Sequence, residues 1–186
     1  MIYALLDKEV LSKRGLSLAK LSQKIQSLNI HITQYRNKSG SFDEKRDDLI
    51  LIRKFYKGRL IINDTIELID YADGLHIGQE DIRVYDNKLD KAINIIRLKI
   101  GNKILGLSTH NKDEILEANG LDLDYIGLGA YRGTKTKAEA KVLGDEALEL
   151  AKLSKHPVGL IGGVKLSDKF DNWITYCVIG SDLYED

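Results

Sequence analysis

A closed barrel of eight parallel strands with shortened helices is the fold predicted for this chain, and three observations predict it. Short apolar runs bounded by polar residues or glycine recur eight times. Segments of helical spacing lie between most of them, so strand and helix alternate. The runs are apolar on both faces, as parallel strands joined by right-handed crossovers are when both sides are covered.

The first run, Ile2 to Leu6, leads into Asp7-Lys8-Glu9. No glycine-rich dinucleotide fingerprint stands there, which counts against the alternative of an open doubly wound sheet. Leu16, Leu18, Leu21, Ile25 and Leu28 repeat at helical spacing before the second run, Ile30 to Gln34. The charged stretch Ser41 to Asp48 is expected to be a solvated loop leading into a helix with Leu49, Ile52 and Phe55. Only Thr65 to Asp73 separates the third and fourth runs, Arg59 to Ile62 and Gly74 to Ile77, and Asp64-Thr65 reads as a helix start before Ile66 and Leu68. Leu89, Ala92, Ile93, Ile96 and Ile100 mark the helix before the fifth run, Lys103 to Leu107. Ser108-Thr109, with Asp113-Glu114 downstream, reads as the start of the helix that carries Ile115 and Leu116. Leu148, Leu150 and Leu153 form the helix between the sixth and seventh runs, Tyr125 to Leu128 and Val158 to Ile161. A short connection, Lys165 to Ile174, leads to the eighth, Tyr176 to Ile179. Barrels of this type usually run to roughly 250 residues, so a shorter chain requires helices cut to a turn or two.

One domain over residues 1–186 is expected, because no Pro-, Gly- or Ser-rich linker divides the chain. Lys plus Arg and Asp plus Glu both total 28, which argues against a protein that coats nucleic acid or an acidic membrane. Any anion site must be local. A single cysteine, Cys177, sits in an apolar run and is expected to be packed and unreactive. The start of the chain carries no basic segment ahead of a long apolar stretch, and no run approaches the roughly 18 apolar residues of a membrane span. A soluble cytoplasmic protein is the expectation.

In such a barrel the chemistry sits just past the C-terminal ends of the strands. The residues there form a coherent set. Gln34, Arg36 and Lys38 alternate on one face of an extended segment and present an amide and two cations, while Tyr35 and Asn37 turn aside. Asn63-Asp64 and Gln79-Glu80-Asp81 come after the third and fourth runs, and a magnesium ion takes one or two carboxylates, waters and phosphate oxygens. Glu80 is an alternative ligand to Asp81. Ser108 to His110 come after the fifth run; Thr134, Lys135, Thr136 and Lys137 come after the sixth and offer hydroxyls, backbone N–H groups and ammonium groups, Lys135 itself expected toward solvent. Gly162-Gly163 after the seventh run permits close backbone approach to phosphate, or equally makes a tight turn. The set reads as a ring of strand ends around a magnesium-bound pyrophosphate. Taken singly, each member has a plainer reading: a solvated strand edge for the cations, a helix cap for Asp64, a loop carboxylate for Asp81, a surface loop for Thr134 to Lys137. Of the four histidines, His31 and His156 read as structural or exposed. His76 stands at an inward-facing strand end where it can contact a ring substrate, and His110 is placed for an acid/base role. There is no zinc-ligand spacing and no serine nucleophile elbow.

Together these segments resemble the thiamine phosphate synthase family and its thiazole tautomerase relatives. The resemblance is carried by TQYRNK (Thr33 to Lys38), LIIND (Leu60 to Asp64), ADGLHIGQED (Ala72 to Asp81), ILGLSTH (Ile104 to His110), DYIGLGAYRGTKTK (Asp124 to Lys137) and PVGLIGGV (Pro157 to Val164), in the family's order. The chain departs from the family at Ala130-Tyr131-Arg132-Gly133, where a Pro-containing loop is usual.

The resemblance implies a β/α barrel enzyme that joins a pyrimidine methyl pyrophosphate to a thiazole ethyl phosphate and releases pyrophosphate. By motif match, Gln34, Arg36, Lys38 and Asn63 bind the pyrimidine pyrophosphate, within the segment that also holds Tyr35 and Asn37. Asp64 and Asp81 hold Mg2+. Ser108 and Lys137 contact the same pyrophosphate, His76 the ring, and Thr134, Thr136 and Gly163, with the backbone near Ile179 and Gly180, the thiazole phosphate. Arg36, Lys38, Ser108 and Lys137 are the groups expected to assist catalysis, and His110 is an acid/base candidate. The implied partners are these two small molecules, with no nucleic acid and no membrane; a homo-oligomer through Trp173 and Phe170 stands beside the preferred expectation that both pack into the chain's own core. A thiazole tautomerase using His110, or a binding protein without turnover, are the alternatives.

Overall fold

The computed structural model of the chain describes residues 1–133 and 142–184. Eight strands, β1 (Ile2–Asp7), β2 (Ile32–Arg36), β3 (Arg59–Asn63), β4 (Gly74–Ile77), β5 (Ile104–Thr109), β6 (Tyr125–Leu128), β7 (Val158–Ile161) and β8 (Tyr176–Ile179), lie side by side in chain order. Every pairing is parallel, and β8 returns to β1 to close the barrel. Among the described residues six α-helices pack outside or between: α1 (Lys8–Lys13), α2 (Leu18–Ser27), α3 (Phe42–Phe55), α4 (Leu89–Ile100), α5 (Lys112–Ala118) and α6 (Glu146–Ala151). Short 3₁₀ segments, Ile66–Tyr71 and Ser181–Tyr184, follow β3 and β8 in place of an α-helix, and a third, Asp81–Val84, precedes α4. This shortening is how 186 residues close a full barrel.

The two-residue period of a strand sorts the side chains into two cores. Ala4, Leu6, Tyr35, Leu60, Ile62, Leu75, Ile77, Leu105, Leu107, Ile126, Leu128 and Leu160 face outward and pack with the helices into the larger core. Tyr3, Ile32, Ile61, Tyr125 and Val178, with Leu5, Ile104, Ile161 and Tyr176 against them, fill the barrel interior. Three tyrosines make the interior's base: Tyr3, Tyr125 and Tyr176 meet edge to face with centroids 5.8 to 5.9 Å apart. Glycine makes room for these rings; a Cβ on Gly106 would lie 2.2 Å from Cζ of Tyr125. Two to four residues further along β1 to β6, the inward positions turn polar or small: Asp7, Arg36, Asn63, His76, Ser108 and Gly127. An apolar plug below and a polar ring above place the site at the C-terminal mouth.

Several local expectations are corrected. Ser41 to Asp48 is not a solvated loop. Ser41 caps α3 in a reciprocal capping box with Glu44, and Asp48 on its buried face receives hydrogen bonds from Tyr35 and Lys8. The helix after β5 starts at Asn111, whose side chain accepts from Glu114 N, because β5 runs on to Thr109. Asp64-Thr65 leads only into a 3₁₀ turn with no side-chain cap. Asp7 caps α1, a helix that the apolar pattern did not reveal. The α6 face that packs inward is Ala147, Leu150 and Ala151, with Leu153 exposed: small residues let this short helix sit close to the barrel. Trp173 is 54% exposed rather than buried, while Phe170 packs edge to face on Tyr131. Cys177 is a free, part-buried thiol whose pKa is raised by burial. Among the described residues no helix is long and apolar enough to cross a membrane.

The Tyr56 hydroxyl is buried without a hydrogen-bond partner, and burial pushes its pKa up. A buried donor with no acceptor costs stability, so Tyr56→Phe is expected to raise stability by up to about 1 kcal/mol or leave it unchanged. Urea denaturation checks this, and a midpoint shift equivalent to a loss of more than about 1 kcal/mol would show that the hydroxyl is satisfied after all.

Candidate active site

The polar ring is assembled strand by strand. Register sets Asp7 of β1 directly beside Arg36 of β2, and the Arg36 guanidinium donates to Asp7 Oδ2 at 2.5 Å. Asp7 is 2% exposed, and its other oxygen is held by the Val10 N–H at the start of α1. Tyr184 completes this corner: its hydroxyl accepts from Asp7 N at 3.0 Å and donates to the Leu5 carbonyl. Burial pushes the Tyr184 phenol up to about 12. Arg36 is therefore a positioned cation on the cavity wall rather than a swinging surface charge.

Across the mouth, Lys38 reaches two carboxylates at once, Asp64 Oδ2 at 3.3 Å and Asp81 Oδ2 at 3.4 Å. Asn63 donates to Asp64 Oδ2, and the Gly78 N–H donates to Oδ1 at 3.1 Å. Burial raises the Asp64 pKa, the neighbouring charge of Asp81 raises it further, and Lys38 and the Gly78 N–H only partly offset them. Burial alone would depress the Lys38 ammonium, but the two carboxylates outweigh it and its pKa is raised. Asp64 holds φ of +58°, a left-handed conformation in which Asp is one of the few tolerated side chains. Gly78 keeps the pair close, since a Cβ there would stand 2.8 Å from Asp81 Oδ2. Glu80 is exposed.

Deeper in the mouth, a hydrogen-bond chain crosses the barrel. Gln34 Nε2 donates to the Tyr3 hydroxyl at 3.1 Å, Tyr3 and Tyr125 hydroxyls lie 2.8 Å apart, Tyr125 meets His76 Nδ1 at 2.9 Å, and His76 Nε2 meets Ser108 Oγ at 2.9 Å. Gln79 donates to the Ser108 carbonyl at 2.7 Å. His110 lies just past β5, and Glu114 accepts from its backbone N–H and contacts Nδ1 at 3.0 Å.

On the far wall Gly162 and Gly163 adopt φ of +101° and +60°. A Cβ would stand 2.9 Å from Ala130 Cα at the first and 2.7 Å from Arg132 Cβ at the second, so glycine is required for this turn to lie against residues 130–132. Arg132 ties the two loops together, donating to the Gly163 carbonyl and to Asp168. A cavity of about 160 Å³ opens between these walls, with Gln34, Arg36, Asn63, His76, Ser108 and His110 among the side chains lining it. Gly163 and Gly180 line it as well.

Most of the residues expected at the site thus meet at one mouth: Gln34, Arg36, Lys38, Asn63, Asp64, His76, Asp81, Ser108, His110, Gly163 and Gly180. Three side chains turn away from it, Tyr35 and Asn37 as strand alternation predicted and Ile179 with only its backbone expected at the site. Tyr35 points outward, 1% exposed, with its hydroxyl on Asp48. Asn37 binds Tyr35 and the Gly40 N–H, forming a turn. The Ile179 side chain packs in the outer core, because strand alternation turns it away from the interior. Thr134, Lys135, Thr136 and Lys137 lie outside the described residues. Sequence reasoning missed Asp7, Tyr3, Tyr125 and Tyr184. Asp7 was within reach of the rule applied to the other strands, since it ends the first one; Tyr3 and Tyr125 read only as strand residues, and Tyr184 lies past the last run.

Known proteins share both the sequence pattern and the barrel. The thiamine monophosphate synthase family model matches residues 2–169. A thiamine-phosphate synthase of Persephonella marina is 33% identical over 184 residues, covering 95% of this chain and 82% of the relative. One from Dictyoglomus thermophilum is 33% identical over 192 residues, covering 94% and 81%. In structure, the chain is similar to thiamine phosphate pyrophosphorylase from Pyrococcus furiosus, with a TM-score of 0.77 over 97% of this chain and 85% of the other at 22% identity, a likeness of fold. A match over nearly the whole barrel, to relatives that share a third of its residues, establishes that this chain belongs to the thiamine monophosphate synthase family of transferase enzymes.

Proposed function

We propose that this chain is a thiamine phosphate synthase that joins 4-amino-2-methyl-5-(diphosphooxymethyl)pyrimidine to a thiazole ethyl phosphate, giving thiamine phosphate and pyrophosphate. The observation that carries the reading is the convergence of Asp64 and Asp81 on one cation at a mouth that also holds Arg36. The carboxylate pair fits a magnesium ion. Its donors are hard oxygens, it numbers the one or two carboxylates that a phosphate-bound magnesium takes, and Lys38 alone leaves Asp64 with a raised pKa. When bound there, magnesium would supply Lewis-acid neutralisation of the pyrophosphate oxygens.

The remaining work falls to the chain's own groups. An aminopyrimidine stabilises a positive methylene carbon, so the carbon–oxygen bond can break without an enzymic nucleophile, its electron pair leaving on the pyrophosphate. Arg36, Lys38 and Ser108 would meet the charge that develops there; Gln34 and His76 would hold the ring. Gly163 and the backbone at Gly180 would bind the thiazole phosphate and keep the ring nitrogen in line for capture. Lys137, Thr134 and Thr136 belong to the same proposal by motif. The reaction uses two small soluble substrates, and a cytoplasmic setting is proposed with it.

A second reading, thiazole tautomerase, draws on His110, which lines the cavity and is oriented by Glu114. One experiment separates the two. Purified protein with both phosphorylated heterocycles should form thiamine phosphate only when magnesium is present, as monitored by chromatography. Absence of product with magnesium, together with isomerisation of the thiazole phosphate alone, would overturn the synthase in favour of the tautomerase.

A further inference from the structure

We propose that Tyr3 and Tyr125 are positioning residues that fix His76 as its Nε2–H tautomer and so aim the Ser108 hydroxyl proton into the cavity. Donor and acceptor roles along the buried chain are set by elimination. An amide nitrogen can only donate, so the Tyr3 oxygen accepts from Gln34 Nε2 at 3.1 Å. The Tyr3 proton is then directed at the Tyr125 oxygen, 2.8 Å away. Tyr125 in turn spends its proton on His76 Nδ1 at 2.9 Å. Nδ1 is thereby an acceptor, a neutral imidazole carries its hydrogen on the other nitrogen, and Nε2–H points at Ser108 Oγ, 2.9 Å away. With its oxygen accepting from the ring, Ser108 has its own hydrogen left for whatever occupies the cavity.

Packing holds the chain in this arrangement. Tyr3 and Tyr125 are 1% and 2% exposed, so reversing one bond would strand a buried hydroxyl proton. The His76 and Tyr125 rings stack with centroids 5.5 Å apart, and Gly127 leaves just enough space beneath the imidazole, a Cβ there being 3.0 Å from Cε1. Burial raises both phenol pKa values, so both hydroxyls keep the protons they donate. The consequence for turnover rests on the synthase reading: a donating Ser108 stabilises the negative charge that grows on departing pyrophosphate, whereas an accepting one would oppose it.

The tautomer itself needs no substrate, so its test stands apart from the test of the reaction. In protein labelled with 15N-histidine at neutral pH, the His76 pair of ring signals, identified by its loss in His76→Asn, should show a protonated Nε2 and a bare Nδ1. A protonated Nδ1, in either the other neutral tautomer or the imidazolium, would overturn the proposal. In Tyr125→Phe, which removes one oxygen from the plug, the preference should collapse toward a mixture; an unchanged pattern would show that Tyr125 does not set it. Tyr3→Phe should behave alike and serves if Tyr125→Phe folds poorly. Kinetically, Tyr125→Phe should lower kcat by about tenfold with little change in KM. In a Ser108→Ala background the same change should cost almost nothing further. Fully additive losses would mean that Tyr125 acts on the fold and not through Ser108.

Discussion

Asp64→Asn is expected, on the proposed magnesium reading, to lower turnover by about 10²- to 10³-fold, the size of effect seen when one preorganised charge-stabilising group is lost, while the barrel stays folded. The substitution keeps the shape of the side chain and suits the left-handed backbone at φ of +58°, where Asn is tolerated as Asp is. It removes one of the two carboxylates that share Lys38, and with it half of the negative charge available to a divalent cation. The apparent magnesium requirement should rise in parallel. Asp64→Ala would add a separate defect, roughly 1–2 kcal/mol of backbone strain, which makes it the poorer probe. Steady-state rates across a magnesium titration, with thermal melting as the control for folding, decide the matter. Wild-type turnover in the Asn variant would remove Asp64 from the metal assignment.

Arg36→Ala should damage both stability and catalysis. Its partner Asp7 is 2% exposed and shares its carboxylate between the guanidinium and the Val10 N–H. Deleting the cation leaves a buried carboxylate without charge compensation, a change that typically costs about 3–5 kcal/mol. The guanidinium is also the best-placed cation lining the cavity, so turnover should fall beyond what unfolding explains. Urea unfolding gives the first quantity, and kcat/KM at a temperature where the variant is folded gives the second. A loss of stability below about 1 kcal/mol would mean that the pair behaves as a surface ion pair, screened by solvent despite its burial.

How much of this was legible in the residues differs from place to place. Apolar runs bounded by polar or glycine residues marked all eight strands to within a residue or two, because a strand covered on both faces has a distinctive composition. Lys38, Asp64 and Asp81 were found by inspecting the positions just past each strand, since the barrel puts those positions on one rim. Ser41 to Asp48 misled: seven of its eight residues are polar, yet a capping box and one buried carboxylate make it the first two turns of α3. A helix with most of its circumference in water carries few apolar residues, so its polar turns look like loop. Tyr35 and Asn37 fell inside a binding motif but turn aside as strand alternation predicted; where they go, Tyr35 onto Asp48 and Asn37 into a turn with Gly40, only the fold decides.

Periodicity, glycine placement and motif order were enough to determine eight strands, their parallel sense and the rim that carries the charged residues. These are local properties, written into composition and into the two-residue alternation of a strand. The pairing of Asp7 with Arg36, the chain from Gln34 through Tyr3, Tyr125 and His76 to Ser108, and the closure by Tyr184 were decided by tertiary structure alone. Partners 29 to 177 residues apart in the chain meet there only once strand register is set and β8 has closed on β1. A hydrogen bond between such distant groups depends on fractions of an ångström in the packing of the barrel interior, and no pattern along the chain encodes that.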